Sequence, residues 1–377
     1  MLALGSAAFL LFGVVLVVLG ACHSGLTNSL DLDHTTFGLL GAALSAGIAA
    51  GVLVAGPLVD RYARRPIFLT STLIVAAALG SVEPNMSFAR ALLHIAAMGA
   101  GTGVFDTLLN AITVERWGKR SVRPMAWLHA MVPVGAMATP WLVSQSGGAA
   151  EWVTIFRGIG VGFLGLSAWV AGVPLPLPTR STEHGTAAIN ARTFLRPAFV
   201  ALCVVALAYV GIEAALTLFA VPYAAGLGLS EEHGQRAISA VWLGILLGRL
   251  LLMIPDRGLD ARALVAAGCV SALLIASSSL LGITQLELVM GACGLVLSAV
   301  FPLMIALAGQ LVPQAPGKAV GLVAGVGSIG GFVLPPLTGA IADASHISVA
   351  VGSLTAWCLL IAVAGWIALR TERTTHA

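Results

Sequence analysis

Twelve runs of mainly apolar residues, each close to the 20 or so needed to cross a hydrocarbon core, occupy most of this 377-residue chain. Their approximate limits are 4–27, 36–58, 66–82, 88–112, 124–145, 153–175, 197–221, 236–254, 262–282, 286–308, 318–341 and 347–369. Backbone amides inside a bilayer must be satisfied within the segment, so runs of this length are expected as helices. With 58% hydrophobic and 9% charged residues the chain lies outside the composition of soluble domains. An all-α membrane protein of twelve transmembrane helices is the expected fold class.

The longest polar interval follows the sixth run and holds Pro178, Arg180, Glu183, His184, Arg192 and Arg196. It divides the chain into an N-terminal six-helix bundle (1–176), a cytoplasmic linker (177–196) and a C-terminal six-helix bundle (197–377). Two bundles of six suit a transporter built from pseudo-symmetric halves. With the N-terminus in the cytoplasm, 16 of the 19 Lys and Arg fall in inside loops and span ends, leaving Arg90, Arg157 and Arg236 outside. That asymmetry places both termini in the cytoplasm of a multi-pass cell-membrane protein.

Other signals are weaker. Leu19-Gly20-Ala21-Cys22 looks like a lipoprotein cleavage site, but no Lys or Arg precedes Arg61, so the first run is expected to stay as a helix. The five cysteines each lie inside an apolar run without CxxC spacing, which indicates neither a disulfide framework nor a zinc site. Gly325-Val326-Gly327-Ser328-Ile329-Gly330 fits GxGxxG but sits mid-span with no preceding strand. No nucleic-acid partner is expected, because the basic residues lie in short connections rather than along one face, and with no HExxH, Walker A or GxSxG run neither enzymatic activity nor a cofactor or metal is expected.

Of the 16 acidic residues, Asp106 and Glu213 alone fall well inside apolar spans. Carboxylates at that depth are expensive and usually face a cavity, an ion path or a proton relay. Gly99, Gly103, Asp106 and Asn110 share one helix face, with the glycines expected to leave room for a ligand beside the polar pair. Tyr209, Glu213 and Thr217 form a polar stripe at four-residue spacing. Close helix packing and structural hydrogen bonding are the competing readings of these segments. His129 with Trp127 either lines a cavity or is a core histidine.

The segment Gly56-Pro57-Leu58-Val59-Asp60-Arg61-Tyr62-Ala63-Arg64-Arg65-Pro66 gathers four charges between two spans. It resembles the loop between the second and third helices of the major facilitator superfamily, Gly-x-Leu-x-Asp-Arg-x-Gly-Arg-Arg, with Ala63 at the second glycine position. Within that superfamily the chain is similar to the fucose permease-like branch of sugar/proton symporters. The residues carrying that likeness are Asp106-Thr107 with Asn110, Tyr209-Val210-Gly211 with Glu213, Phe301-Pro302, and Leu334-Pro335-Pro336-Leu337-Thr338-Gly339. In the branch an acidic residue precedes Ile-Thr-Asn in span one; here Gly25 occupies that place in His23-Ser24-Gly25-Leu26-Thr27-Asn28. The resemblance implies proton coupling, with His23 as a candidate substitute beside Asp106 and Glu213.

The resemblance also implies that Gly56, Asp60, Arg61, Arg64 and Arg65 govern conformational change. Asp106, Asn110, Tyr209 and Thr217 are the candidate substrate ligands, with Glu213 as the proton carrier. The expected activity is secondary transport of a small polar solute, a sugar, by alternating access and proton symport, by a monomer in the lipid bilayer. The neutral candidates Asn110, Thr217, Tyr209, Gln310 and Trp242, and the lack of a central basic residue, speak against an anionic solute. The alternatives are proton-antiport efflux of an apolar or cationic compound, and a non-transporting membrane sensor.

Overall fold

The structure, a computed structural model, describes residues 1–177, 191–252, 261–282 and 284–375. Among them there is no strand, and the helices fall into two compact units, Met1–Thr182 and Glu183–Ala377. Most of the expected linker, residues 178–190, lies outside the described residues.

The first unit contains α1 (Leu2–Ala21), α2 (His23–Leu30), α3 (His34–Arg61), α4 (Arg64–Gly80), α5 (Phe88–Trp117), α6 (Val122–Gln145) and α7 (Trp152–Gly172). The second contains α8 (Pro197–Gly226), α9 (Glu231–Leu252), α10 (Ala261–Leu281), α11 (Leu286–Leu297), α12 (Val300–Leu311), α13 (Pro316–Ala344) and α14 (Ile347–Thr375). Eleven helical segments among the described residues are long and apolar enough to cross a membrane, α11 and α12 together forming one of them. The remaining expected span is α4, whose 17 residues reach the lower end of what a bilayer accepts.

Polar residues set several boundaries. The Asp33 carboxylate caps α3, accepting from the Thr36 amide at 2.7 Å and from the Thr36 hydroxyl at 2.6 Å. Those hydrogen bonds hold the Asp33 carboxyl below the usual carboxylate range. At the other end of α3 only Tyr62 and Ala63 separate it from α4, both with extended backbone ψ.

Three span pairings recur in the two units, while α8 packs broadly on α14 and its counterpart α1 touches α7 only slightly. α1 packs on α6, α3 on α5 and α4 on α7; correspondingly α8 packs on α13, α9 on α11 and α10 on α14. Interruptions fall in different places. Between α1 and α2 the ladder persists, with Cys22 donating to Val18 at 2.9 Å and Leu26 to Cys22 at 3.0 Å. Between α11 and α12 the cause is Pro302, which has no amide hydrogen for the Ser298 carbonyl four residues earlier and crowds it sterically.

Candidate functional site

In the first unit the polar cluster joins α5 and α6. The Asn110 amide donates to Asp106 Oδ1 at 3.1 Å, and its Oδ1 accepts from His129 Nε2 at 3.2 Å. The Phe9 ring meets His129 edge-on with centroids 4.9 Å apart, while Phe105 is flanked by Phe12, Phe68 and Phe163. Asp106, Asn110 and His129 are all partly exposed. The cluster is therefore a relay of one carboxyl, one amide and one imidazole set against aromatic rings. Trp127 does not join it; its ring is exposed and its indole donates to Ser6 at 3.0 Å.

One expectation about this region needs correction. The glycines beside Asp106 leave no room for a ligand, because a side chain at Gly99 would meet the Leu44 carbonyl and one at Gly103 the Ile48 carbonyl. Their small size serves close approach of α3 to α5. His23 lies apart from Asp106. Its ring is buried edge-on against Phe37, centroids 4.4 Å apart, and stacks near His34 at 6.2 Å. α3 and α5 run parallel, with Gly47 beside Ala96 and Gly103 beside Ile48, so Phe37 is level with the first turn of α5. Asp106 lies about 18 residues further along, roughly 27 Å at the helical rise.

The cytoplasm-assigned charge cluster separates into unequal members. Arg64 is buried, and its Nη2 donates to Glu115 Oε1 on α5 at 2.5 Å. Asp60, Arg61 and Arg65 are exposed and Gly56 is partly so. Glu115 is a partner that the sequence did not single out, since it sits in a polar stretch with Arg116, Lys119 and Arg120 that reads as a solvated helix end.

In the second unit, Tyr209 is buried and its hydroxyl donates to Glu213 Oε2 one turn along α8. The third member is Arg249 of α9, whose charge acts on both the Tyr209 hydroxyl and the Glu213 carboxyl. From sequence alone, an arginine this near a span end reads as a side chain that snorkels to the surface. Instead it supplies the basic residue whose apparent lack spoke against an anionic solute. Side chains lean toward the N-terminus of their helix, which carries the guanidinium of a residue near the end of α9 back toward the middle of α8.

The interruption of α11 and α12 borders this site. Phe301 packs near Tyr209 with ring centroids 6.1 Å apart, and Gly248, next to Arg249, faces the Ser298 side chain so closely that a β-carbon would collide with it. Thr217 and Trp242 are buried, and among the described residues neither the Thr217 hydroxyl nor the Trp242 indole N–H has a hydrogen-bond partner. Gln310 is exposed. No group of three or more His, Cys, Asp and Glu side chains among the described residues is arranged to hold a metal ion.

A family model described as the Major Facilitator Superfamily matches residues 2–285. Among individual relatives, a sodium-dependent glucose transporter 1A of Mus musculus is 25% identical over 38% of this chain, and that match spans 34% of the mouse protein's length. A gentisate transporter of Corynebacterium glutamicum is 28% identical over 88% of this chain and 78% of its own. Among solved structures, a D-xylose-proton symporter superposes with TM-score 0.80 at 15% identity, covering 97% of this chain and 96% of its own, a likeness of fold.

Proposed function

The chain belongs to the Major Facilitator Superfamily, and from that premise we propose that it is a secondary transporter of a small polar organic solute, working by alternating access with proton symport. The observation that carries the reading is the Tyr209–Glu213 pair within a membrane-spanning helix and beside Arg249. A carboxyl at that depth is retained where a proton or ion moves. In this reading Glu213 carries the proton, while Asp106 and Asn110 offer hydrogen bonds to solute hydroxyls. Tyr209 and Thr217 contribute ligands from α8.

A sugar is the first solute class, supported by the neutral donors and acceptors of Asn110 and Thr217 and by the named solutes of the mouse and xylose transporters. A hydroxylated acid is the second, favoured by Arg249 and by the gentisate relative. The proposed setting is a cell membrane with both termini in the cytoplasm, following the 16-to-3 distribution of Lys and Arg. The protein acts as a monomer without nucleic acid. Asp60, Arg61, Arg64 and Arg65 with Gly56 govern the conformational change rather than bind solute; Asp60→Asn is expected to slow flux while leaving affinity within a few-fold.

The deciding experiment reconstitutes the protein in proteoliposomes and compares exchange with accumulation driven by a pH gradient. Glu213→Gln is expected to retain exchange and lose accumulation. Concentrative uptake by Glu213→Gln at the level of the unchanged protein overturns the coupling role.

A further inference from the structure

Three buried donors without partners occupy the facing sides of α8 and α9: Thr217 Oγ1, Trp242 Nε1 and Arg249 Nε. Their heights follow from the register of the two helices. Gly234 lies against Ala220 and Val221, and Arg249 lies beside Tyr209 with its charge acting on Glu213, so residue numbers rise along α9 as they fall along α8. Between these fixed points Trp242 is level with Glu213 and Thr217. The seven-residue spacing of Trp242 and Arg249 puts them on one face of α9. Buried polar groups are nearly always satisfied; the two unpartnered nitrogens of Arg64 have Glu115 beside their own guanidinium, whereas these three donors, on two neighbouring helices within about two turns of α8, include two neutral groups with no acceptor and point to one supplied from outside the chain.

We infer that the facing sides of α8 and α9 bind the carboxylate of a small organic acid, with Arg249 Nε, Trp242 Nε1 and the Thr217 hydroxyl as its donors and Glu213 as the group it displaces. The inference rests on the transporter reading above and names the solute class for the same site. Arg and Trp are donors only, which requires an accepting ligand, and the guanidinium fork matches two oxygens on one carbon. Tyr209, Phe301 and Trp242 supply aromatic surface for the remainder of the molecule.

Charge balance gives the coupling. Among the titratable and charged groups of α8, α9, α12, α13 and α14, those acting on Glu213 are Tyr209 and Arg249. Ionised Glu213 holds the charge of Arg249; when a carboxylate takes its place, Glu213 takes one proton from solvent and the site keeps its net charge. Anion and proton therefore bind together, each strengthening the other by the same factor.

The test is calorimetric binding to the purified full chain, repeated in two buffers of different ionisation enthalpy to count protons. The probes are 2,5-dihydroxybenzoate, 3-phenylpropionate and glucuronate, each against its own carboxamide, with glucose as the neutral control. At least one acid is expected to bind with uptake of one proton and its amide at least about tenfold more weakly. Trp242→Phe and Arg249→Gln are each expected to weaken the acid about tenfold or more, with Arg249→Lys intermediate because it keeps the charge and loses the fork. Glu213→Gln is expected to bind the acid without proton uptake.

Failure of all three acids to bind, equal affinity for acid and amide, or unchanged affinity in folded Trp242→Phe and Arg249→Lys overturns the inference. Flux separates it from the broader reading. Bound acid with no solute transport in proteoliposomes defeats transport and leaves the site standing; accumulated glucose with no acid binding does the reverse.

Discussion

Each unit draws an arginine in among its helices, and the two are held differently. Arg64 is fully buried and meets Glu115 directly at 2.5 Å, a closed ion pair joining α4 to α5. Arg249 is partly buried, lacks a salt bridge of that kind among the described residues, and reaches a carboxyl already engaged by Tyr209. The surroundings differ in the same sense. Asp106, Asn110 and His129 satisfy one another in the first unit, where the unpartnered Nε and Nη1 of Arg64 belong to a guanidinium already paired with Glu115; in the second, Thr217 and Trp242 leave donors open on the same two helices as Arg249 and its unpartnered Nε. Similar helix pairings thus support one arginine fastened by a direct ion pair and another without one.

The largest expected effect tests the fastening. Glu115→Ala leaves a buried cation without its counter-ion and is expected to destabilise the protein by about 3 to 5 kcal/mol. Arg64→Met strands only Glu115, whose side chain is 33% exposed and can be hydrated, and is expected to cost less. Thermal unfolding in detergent compares them, and equal losses would break the distinction drawn between a closed pair and an open one.

Next in size is Asp106→Asn, expected to weaken solute binding by about 1.5 to 3 kcal/mol if Asp106 accepts a hydrogen bond from the solute. Normal binding by a folded Asp106→Asn protein would make the first-unit cluster purely structural and sharpen the contrast with Glu213. Gly248→Ala follows. Its β-carbon runs into Ser298, so a loss of about 1 to 3 kcal/mol is expected, while Gly325→Ala, with open space around it, should be nearly silent. Matching stabilities for these two would mean that α9 and α11 separate freely.

The smallest effect concerns the α3 cap. Asp33→Ala is expected to remove about 1 kcal/mol. Because the folded carboxyl is held below its ordinary range, the cap's contribution is present above the unfolded value near 3.9 and fades as pH falls through the lower folded value. Unfolding curves for Asp33→Ala and the unchanged protein should therefore converge in acid.

Apolar runs and charge spacing were enough to locate the helices, because the bilayer enforces length and internal hydrogen bonding on each span. They also singled out Asp106, Asn110, Tyr209 and Glu213, which the fold joins in two hydrogen-bonded groups. Partners from other helices were harder to see. Glu115 and Arg249 stand near span ends, where a charge in sequence looks solvated, and only the pairing and register of neighbouring helices reveal what they reach. Gly99 and Gly103 misled for the same reason: a smooth face offers equal room to a ligand and to another helix, and here α3 takes it.

The ion pair of α4 also bears on how the chain is made. Arg64 opens a 17-residue helix, and the carboxylate that neutralises it is 51 residues away. At about 5 to 20 residues per second of synthesis, α4 waits roughly 3 to 10 s before Glu115 exists. Through that interval the charge at its first turn is met by water rather than by Glu115, so the packed junction between α4 and α5 closes only once α5 has been made.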